Sequence, residues 1–381
     1  MLYAVAFSDR TEYNMRIIFA GGGTVGHISP SIAIAEELFK RNNTTEILFI
    51  GRESGQENEA IKRAGFDYKT INISGLERRI TYKNIKNILT ALKAVRSSKE
   101  ILKSFKPDIV FGTGGYVSYP ILKAAQKLKF KTVIHESNAC IGLASKALLD
   151  GCDMLLTGFG IDVGIPPHVR VINTGNPVRD EFIYADRETS RKKLGINKNE
   201  ILITSFGGSG GSKVLNETII EVMKKYSLKK HSIRHIHASG RKYYRDIAKL
   251  EPILVNGRNG CVIKPYINDV ATLISASDIA ITRCGAMTLA ELAVCATPAI
   301  LIPSPNVTND HQKKNAEFLC REGAAIMIRE DELTTEILTN KINKLAESKK
   351  MRHEMSKRIY ELSPQNARRI IADEILKLSE K

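Results

Sequence analysis

Two glycine-rich segments, each following a short apolar run, carry the residues of this chain best suited to chemistry. The first, at 21–27, reads Gly-Gly-Gly-Thr-Val-Gly-His after the apolar run 16–20. The second, at 207–211, reads Gly-Gly-Ser-Gly-Gly after the apolar run 201–206. A strand, a glycine turn and a helix bring unpaired backbone N–H groups and the positive end of a helix dipole together. Both segments are therefore predicted to bind anions, and their pairing indicates a phosphate-bearing ligand.

His27 closes the first segment, and its imidazole can exchange a proton near neutral pH. The spacing places it at the start of a predicted helix, where the dipole disfavours the charged imidazolium. A neutral histidine there is a candidate general base. A capping or packing role is the alternative that the spacing leaves open.

Residues 21–26 also fit the G-x-G-x-x-G pattern of dinucleotide-binding folds. Such sites need an acidic ribose ligand roughly 20 residues further on. Here the next apolar run ends in Ile-Gly-Arg-Glu at 50–53, which places no acid well for that task. An NADP oxidoreductase is therefore an alternative that both this ending and the second glycine segment disfavour.

Apolar strand patterns alternate with helical patterns along both halves, as is typical of parallel βαβ units. The first half predicts strands at 16–20, 46–50, 70–73, 108–112 and 132–135, with helices at 29–41, 55–64, 83–104 and 118–129. The second half predicts strands at 201–206, 233–238, 261–263, 279–282, 299–302 and 325–328, with helices at 212–226, 242–250, 269–276, 287–294 and 310–321. The expected fold class is α/β, with two Rossmann-like parallel-sheet domains.

The turn-rich stretch 173–179 separates the two patterns and predicts the domain boundary. Four segments follow: an N-terminal extension 1–14, a first domain 15–178, a second domain 179–364, and a helix 365–381 after Pro364 that returns to the first domain. Met15 directly precedes the first strand, so the extension is either dispensable or an upstream start.

Length and composition favour a soluble two-domain protein of the cytoplasm. The 381 residues suffice for two cores, and no apolar run reaches the roughly 18 residues that a membrane-spanning helix needs. The six cysteines show no metal-ligand or disulfide spacing, so reduced and mostly buried thiols are expected.

The net charge of +16 favours phosphorylated ligands, anionic lipid or nucleic acid. A generally lysine-rich composition without functional meaning is the other explanation. Nucleic acid is disfavoured as a partner, because the chain has no Trp and only 6% aromatic residues to stack on bases.

Seven blocks, in order, resemble the MurG glycosyltransferases, and the likeness extends over about residues 15–375. The blocks are 23–30 (GTVGHISP), 112–120 (GTGGYVSYP), 135–144 (HESNACIGLA), 175–179 (GNPVR), 207–209 (GGS), 283–291 (RCGAMTLAE) and 303–316, with PSP at its start and DHQ and NA further on. That family transfers N-acetylglucosamine (GlcNAc) from UDP-GlcNAc to undecaprenyl-pyrophosphoryl-MurNAc-pentapeptide. The resemblance implies a hexosyltransferase of cell-wall synthesis that converts lipid I to lipid II.

The resemblance further implies a GT-B architecture, in which two Rossmann-like domains flank a cleft and the second holds the donor. Glu291 would accept hydrogen bonds from the ribose hydroxyls, the Ile267 backbone would meet uracil, and Arg179 would contact the nucleotide. The diphosphate would lie on Ser209 and its neighbouring amides. The remaining implied donor contacts are Thr24, Val25, Gly26, Asn138, Ala286, Met287, Thr288, Leu289, Ala290 and Gln312. The structural alternatives are a helix cap for Ser209, an Asx-turn for Asn138 and an ion pair for Glu291.

No Asp-x-Asp motif or carboxylate cluster is present to hold a metal beside the diphosphate, so neither a metal nor a cofactor is expected. Helix dipoles, backbone N–H groups and Arg179 would then stabilise the leaving UDP. The hypothesis is a single displacement with inversion, in which His27 takes the proton of the acceptor 4-hydroxyl.

Gly114, Gly115 and Tyr116 belong to a third glycine turn, which could hold the pyrophosphate of the acceptor by the same helix-terminus argument. A tight strand–helix connection is the alternative.

Three departures from the family pattern are Val25 for glycine, Ser137 for glutamine, and Ser-Gly-Gly at 209–211 for Ser-Gln-Gly. A side chain at Val25 would limit how closely a phosphate or sugar approaches that loop.

Residues 78–106 predict a basic amphipathic helix, with nine Lys or Arg and one acid, Glu100. Such a helix can rest on anionic lipid, and the expected location is peripheral, at the cytoplasmic face of the cell membrane. An ordinary surface helix is the alternative. For the whole chain, a UDP-GlcNAc 2-epimerase and a diacylglycerol glycosyltransferase remain as alternatives; an epimerase would turn over UDP-GlcNAc without any acceptor.

Overall fold

The computed structural model describes residues 14–22, 25–53, 57–73, 82–161, 164–208, 210–227, 233–257 and 260–380. Within those ranges, only the backbone is described for residues 25–27, 57, 82–89 and 226–227. Every structural statement below refers to this part of the chain.

The first half folds into a parallel sheet covered by helices. Its strands are β1 (Arg16–Ala20), β2 (Glu46–Arg52), β3 (Asp67–Ile71), β4 (Ile109–Gly112), β5 (Lys131–Glu136), β6 (Met154–Thr157) and β7 (Arg170–Asn173). Its helices are α1 (Val25–Arg41), α2 (Glu57–Arg63), α3 (Tyr82–Phe105), α4 (Gly115–Lys127) and α5 (Leu143–Lys146). Among the described residues, the seven strands lie in the order β3-β2-β1-β4-β5-β6-β7.

The second half forms another parallel sheet with the same construction. Its strands are β8 (Ile201–Phe206), β9 (Ile233–Ala238), β10 (Cys261–Lys264), β11 (Ile279–Thr282), β12 (Ala299–Leu301) and β13 (Ala325–Met327). Its helices are α6 (Asp180–Ile183), α7 (Arg187–Lys193), α8 (Lys213–Ser227), α9 (Arg241–Leu250), α10 (Pro252–Val255), α11 (Val270–Ala276), α12 (Ala286–Val294), α13 (His311–Arg321), α14 (Thr335–Glu347) and α15 (Lys349–Glu361). The six strands described lie in the order β10-β9-β8-β11-β12-β13.

The central strands are buried on both faces, which explains why they read as continuous apolar runs rather than alternating ones. In β1, Ile17, Ile18 and Phe19 are fully buried. Phe19 pairs in register with Phe49 of β2 and with Phe111 of β4, and its ring lies 5.1 and 5.3 Å from theirs. Alternate residues of the strand therefore supply two separate cores, one on each face of the sheet.

The last helix, α16 (Ala367–Ser379), leaves the second sheet and packs on the first. Ile371, Ala372 and Ile375 are fully buried in the core that contains β1. Asp373 pairs with Arg41 of α1, and Glu374 pairs with Arg170 of β7 at 2.6 Å. The chain thus passes between the two sheets twice.

The two passages touch where Pro364 packs against Gly175. Gly175 has φ of +74°, and a Cβ added there would lie 2.7 Å from Pro364 Cδ. Only glycine satisfies both the left-handed backbone and the close contact. The crossing point is therefore fixed by side-chain shape as well as by connectivity.

The α/β class with two parallel sheets is confirmed, and both glycine segments follow strands as expected. The pattern missed β6 and β7; both have only four residues, and β7 is in addition a largely exposed edge strand. It also placed β3 late, at 70–73 instead of Asp67–Ile71, since the polar residues of that edge strand read as a loop.

Candidate active site

In both sheets the strand order reverses beside the first strand of the half, and this marks where ligands are expected. The reversals fall between β1 and β4 in the first sheet and between β8 and β11 in the second. In open parallel sheets, ligands bind in the crevice beyond the carboxyl ends of the strands at such a point. All three glycine loops of the sequence leave strands at these two places.

A cavity of about 430 Å³ opens at the reversal point of the second sheet. It is bounded by the glycine loop after β8 and by the segments that follow β11 and β12. Its lining residues are Phe206, Gly207, Gly208, Gly211, Ser212, Lys213, Val214, Tyr243, Arg283, Gly285, Thr288, Ser304, Asn306, Gln312 and Glu330. This is the volume of a small-molecule site, and its walls are mainly polar or glycine.

The glycine loop after β8 packs closely on the loop after β9. Gly211 has φ of +71°, and a Cβ added there would lie 2.2 Å from the Ser239 carbonyl oxygen. Gly208 also has a positive φ, of +84°. Side chains are excluded at Gly211, which leaves backbone groups to form this wall of the cavity. Ser209, the predicted diphosphate contact, lies outside the described residues.

Arg283 joins three walls of the cavity. Its Nη2 donates to Ser212 Oγ at 2.6 Å and pairs with Glu330, while Nη1 donates to the carbonyls of Ile302 and Pro303. Its side chain is only 11% exposed. The planar guanidinium can hold several acceptors at once in a fixed geometry, so it fixes the end of the glycine loop relative to the strand ends.

Helix α12 begins at the cavity, after Gly285, and no side chain caps it within the described part of the chain. Thr288 faces the cavity. Ala286, Leu289 and Ala290 are buried in the core of the domain, and Met287 packs against that core. Of the predicted contacts at 286–290, the structure thus brings the Thr288 side chain to the cavity, together with the positive end of the helix.

Gln312, another predicted donor contact, lies at the cavity wall. Its Oε1 accepts hydrogen bonds from Cys284 N at 3.2 Å and from Ser304 N at 2.9 Å. The side chain therefore holds together the two segments that follow β11 and β12. Its Nε2 carries the hydrogen-bond donors of the amide.

Glu291 and Arg179 lie near enough for their charges to interact. Burial raises the pKa of the Glu291 carboxyl to about 7, while Arg179 lowers it and Glu181 raises it. Arg179 itself is exposed and forms an ion pair with Glu181 at 2.8 Å. A carboxyl group raised to this pKa is typical of functional sites, and both predicted residues share one corner of the second domain.

Ile267 has a half-buried side chain that packs against a small core next to β8 and α11. It is not among the residues that line the cavity, and its predicted backbone contact with uracil stays a prediction.

Asn138 lies where the two domains meet. Its Nδ2 donates to Glu136 Oε1 at 3.1 Å, and its Oδ1 accepts from Asn315 Nδ2 at 3.1 Å. Asn315, on α13 and fully buried, accepts from Ala139 N at 2.8 Å and also donates to the Cys284 carbonyl. One asparagine of the second domain therefore binds the first domain and the segment leading into α12 at once.

The glycine turn after β4 lies beside the start of α1. Gly114 and Gly115 have φ of +77° and +75°, and Gly114 precedes α4 without a capping side chain among the described residues. The neighbouring Thr113 accepts a hydrogen bond from Ser31 of α1 at 3.4 Å. Tyr116 accepts one from Arg52 Nη1 at 3.4 Å.

The first glycine segment is described in part. Val25, Gly26 and His27 form the first turn of α1, which begins five residues after Ala20, the end of β1, and their side chains are not described. Thr24 lies outside the described residues. The backbone thus brings His27 and the 114–116 turn to neighbouring positions on one edge of the first sheet.

Helix α3 carries the described part of the predicted basic surface. Lys93, Arg96, Lys103 and the following Lys106 are exposed, and Leu92 among them is 61% exposed. Ala94, Val95 and Leu102 are buried in the first core. No helix in the described ranges is long and apolar enough to cross a membrane. Those ranges also hold no group of three His, Cys, Asp or Glu placed to bind a metal ion.

Comparison with known families gives the class of the protein. Residues 17–154 match the glycosyltransferase family 28 N-terminal domain, and residues 202–373 match the C-terminal domain of that family. These two matches cover most of the chain and, together with its two parallel-sheet domains, place the protein among the GT-B glycosyltransferases.

Individual relatives make the assignment narrower. A protein of Halalkalibacterium halodurans named UDP-N-acetylglucosamine--N-acetylmuramyl-(pentapeptide) pyrophosphoryl-undecaprenol N-acetylglucosamine transferase is 37% identical over 329 residues, 86% of this chain and 90% of the relative. Its namesake from Acetivibrio thermocellus is 38% identical over 355 residues, 93% and 95% of the two chains. The crystal structure of Acinetobacter baumannii MurG has a TM-score of 0.76 at 26% identity, covering 96% of this chain and 99% of that one. The chain belongs to the MurG family, which confirms the resemblance.

The fold alone would not have separated this family from the epimerases. UDP-GlcNAc 2-epimerase from Neisseria meningitidis covers 96% of this chain with a TM-score of 0.64, at 16% identity. That likeness shows the shared architecture and nothing further.

Three residues of the site were missed by the pattern of the sequence. Tyr243 lies in the cavity wall beside Gly211, and Glu330 holds Arg283. Glu136 accepts hydrogen bonds from Gly142 N at 2.9 Å and Ser145 Oγ at 3.0 Å, besides those from Asn138. The sequence signal available for Glu136 was its place in the 135–144 block, two positions before the candidate Asn138.

Proposed function

We propose that this chain moves GlcNAc from UDP-GlcNAc to the 4-hydroxyl of MurNAc in undecaprenyl-pyrophosphoryl-MurNAc-pentapeptide, which converts lipid I to lipid II in peptidoglycan synthesis. The single observation that carries the proposal is the identity of 37–38% to transferases with that name over most of both chains. The polar cavity on the second domain supports a nucleotide-sugar donor, since it joins a glycine loop to the start of α12.

On the donor side, the diphosphate is proposed to lie on the glycine loop 207–211, with Ser209 and the neighbouring amides as its ligands. Glu291 would accept hydrogen bonds from the ribose, the Ile267 backbone would meet uracil, and Arg179 would leave Glu181 to contact the nucleotide. The Nε2 of Gln312 and the Nδ2 of Asn138 are amide donors suited to sugar hydroxyls. Thr24, Val25 and Gly26 would approach the sugar from the first domain.

On the acceptor side, the turn containing Gly114, Gly115 and Tyr116 is proposed to bind the pyrophosphate. This turn and the start of α1 both lie at the same edge of the first sheet. A lipid-linked pyrophosphate held there would bring its sugar toward His27.

The proposed reaction is a single displacement. The 4-hydroxyl oxygen forms a bond to the anomeric carbon of GlcNAc, the bond from that carbon to the UDP oxygen breaks, and His27 takes the hydroxyl proton. Attack from the face opposite to UDP inverts the configuration and gives a β-linked disaccharide. Helix N-termini and Arg179 would stabilise the departing diphosphate without a divalent metal.

The role of His27 is tested by His27→Ala. We expect turnover to fall by at least about 100-fold, in the range of a lost general base, while the Kd for UDP-GlcNAc changes little. His168→Ala is the control, because His168 is an exposed histidine of the same half of the chain. Turnover near that of the wild type would eliminate His27 as the base.

The membrane surface is proposed to be α3 together with the basic residues that precede it, within 78–106. Exposed cations beside an exposed leucine suit the headgroup region of an anionic bilayer. The test is cosedimentation with phosphatidylglycerol vesicles for Lys93→Glu/Arg96→Glu, against Lys349→Glu/Lys350→Glu on the second domain as the control. Vesicle binding that does not depend on salt concentration or on anionic lipid content would contradict the proposal. So would vesicle binding that falls equally in both double variants.

The reaction itself is tested with labelled UDP-GlcNAc and a short-chain analogue of the lipid-linked muramyl peptide, in the presence of EDTA. Label is expected in a lipid-linked product only when the acceptor is present. Turnover of UDP-GlcNAc to its 2-epimer without acceptor would instead support an epimerase, and transfer to diacylglycerol would support the other alternative. Loss of transfer in EDTA that returns with Mg²⁺ would refute metal independence.

A further inference from the structure

A chain of buried polar groups crosses the core of the second domain. Ser205 on β8 and His235 and His237 on β9 are all fully buried. Ser205 Oγ lies 2.8 Å from His235 Nε2 and 2.8 Å from His237 Nδ1. On the other side of its ring, His237 Nε2 lies 3.0 Å from Asn216 Oδ1. None of these groups has a part in the chemistry proposed above.

The hydrogen bond from Asn216 to the Ser239 carbonyl determines where the protons lie along this series of polar groups. Asn216 Nδ2 lies 2.9 Å from the Ser239 carbonyl, which can only accept, so the amide nitrogen donates and Oδ1 must accept from His237 Nε2. His237 then accepts at Nδ1 from the Ser205 hydroxyl, and that hydroxyl oxygen accepts from His235 Nε2. Ser205 O, 3.1 Å from the same Nδ1, accepts nothing from it in this tautomer.

Two further observations agree with this assignment. His235 Nδ1, which it leaves as a bare acceptor, has no hydrogen-bond partner among the described residues. Burial lowers the pKa of His235 to about 3 and that of His237 to about 4, so both rings are neutral in the folded protein. All donors in the chain therefore point the same way, from His235 to Ser239.

This series of hydrogen-bonded groups ends at the Ser239 carbonyl, directly beneath the glycine loop of the cavity. The Ser239 carbonyl that Asn216 holds is the atom against which Gly211 packs, at a distance that leaves no room for a Cβ. A Cβ added to Gly240 would in turn lie 2.8 Å from Gly211 Cα. Asn216 also belongs to α8, the helix that follows the glycine loop. Its hydrogen bond therefore links the start of that helix to the Ser239 carbonyl beneath the loop.

We propose that Asn216 and His237 are positioning residues that fix Gly211, the last residue of the glycine loop, in the place needed to bind a nucleoside diphosphate. The inference rests on the proposed function, because it takes this loop as the diphosphate site. Asn216 fixes the Ser239 carbonyl, the carbonyl fixes Gly211, and His237 fixes the orientation of the Asn216 amide. Removing the tether should weaken binding of the diphosphate and leave binding of the nucleoside unchanged.

The experiment measures the Kd of UDP and of uridine by isothermal titration calorimetry for the wild type and its variants. Asn216→Asp keeps the size of the side chain but places an oxygen against the Ser239 carbonyl. His237→Gln keeps an N–H donor near the position of Nε2. Thr204→Val is the matched control, since Thr204 is fully buried on β8 and its hydroxyl has no partner among the described residues.

For Asn216→Asp we expect UDP affinity to fall about tenfold, in the range of a buried hydrogen bond lost, and uridine affinity to stay within about twofold. His237→Gln, which keeps the donor, should keep most of the UDP affinity, His237→Leu, which removes it, should lose severalfold, and Thr204→Val should lose none. Full UDP affinity in His237→Leu would remove His237 from the tether. If Asn216→Asp does not fold, Asn216→Ala removes the same donor without adding a charge and replaces it in the comparison.

Equal losses of UDP and uridine affinity, or no loss of either, would overturn the tether while the diphosphate site stands. A wild-type protein that binds UDP no better than uridine would instead overturn the diphosphate site itself, and the tether with it. Thermal unfolding of each variant, followed by circular dichroism, shows that the compared proteins are folded.

Discussion

Replacing Glu291 by Gln should make the protein more stable and less able to bind its donor. Glu291 lies in the second turn of α12, and burial raises the pKa of its carboxyl from 4.5 to about 7. The folded protein therefore carries a carboxylate above neutral pH at a cost that the unfolded chain does not bear. A glutamine of the same shape removes the charge and keeps an oxygen that can accept.

The size of the effect follows from the two pKa values. One pKa unit corresponds to about 1.4 kcal/mol, so the raised pKa amounts to at most roughly 3 kcal/mol of lost stability. The sign depends on pH. Below about pH 4.5 the carboxyl is protonated in both states and costs nothing. Between about 4.5 and 7 only the unfolded chain releases its proton, so the penalty grows, and above about 7 it is constant.

Urea unfolding at pH 5 and pH 8 measures this difference directly. We expect the free energy of unfolding of Glu291→Gln to exceed that of the wild type by about 1 kcal/mol or less at pH 5 and by roughly 3 kcal/mol at pH 8. The KM for UDP-GlcNAc should rise about tenfold at pH 8, because a charged acceptor to the ribose is lost. Glu336→Gln, an exposed residue of α14, is the control.

A stability gain that is the same at both pH values would refute the reasoning, since a fixed difference cannot come from titration. A variant with unchanged KM would show that Glu291 does not hold the ribose. The two outcomes are independent, so the electrostatics and the proposed contact are tested separately.

Three further perturbations follow from single contacts. Asn315→Leu removes hydrogen bonds to both domains and leaves their buried partners unsatisfied. We therefore expect the free energy of unfolding in urea to fall by about 1–3 kcal/mol and the rate of transfer to fall as well. An unchanged free energy of unfolding would show that the contact between the domains is not formed in solution. Gly112→Ala places a Cβ 2.2 Å from Leu122 Cδ1 and should cost about 1–3 kcal/mol. The double variant with Leu122→Ala should cost less than the sum of the two single changes, and strict additivity would contradict the overlap. Arg283→Lys loses the forked contacts to Ser212 and Glu330, so the KM for UDP-GlcNAc should rise about tenfold, and an unchanged KM would show that the loop does not depend on this clamp.

The parts of the fold that the sequence predicts are those set by local patterns. Buried parallel strands read as apolar runs, and glycines mark turns whose backbone has a positive φ, as at Gly114. Strand order cannot be read from such patterns, yet the carboxyl ends of parallel strands share one edge. Once β1 and β4 are known to be neighbours, that rule puts the start of α1 and the turn at 114–116 at the same edge of the sheet.

The contacts that shape the site were beyond prediction because they join residues far apart in the chain. Asn138 reads as a sugar ligand or a turn residue, but its partner Asn315 lies 177 positions away. Arg283 belongs to a recognisable block, yet nothing in that block indicates its contacts with Ser212 and Glu330. The first pair depends on how the two domains are placed, and the second depends on the strand order within the second sheet; the local sequence pattern records neither.

The central claim is that the protein joins a sugar from a nucleotide donor to a lipid-linked acceptor with inversion. The measurement is proton nuclear magnetic resonance of the product formed from UDP-GlcNAc and the short-chain muramyl-peptide acceptor in EDTA. The account predicts one new GlcNAc residue with a β linkage to the 4-position of MurNAc, and UDP released in equal amount. An α linkage, or a 2-epimer of UDP-GlcNAc formed with the acceptor left unchanged, would contradict it.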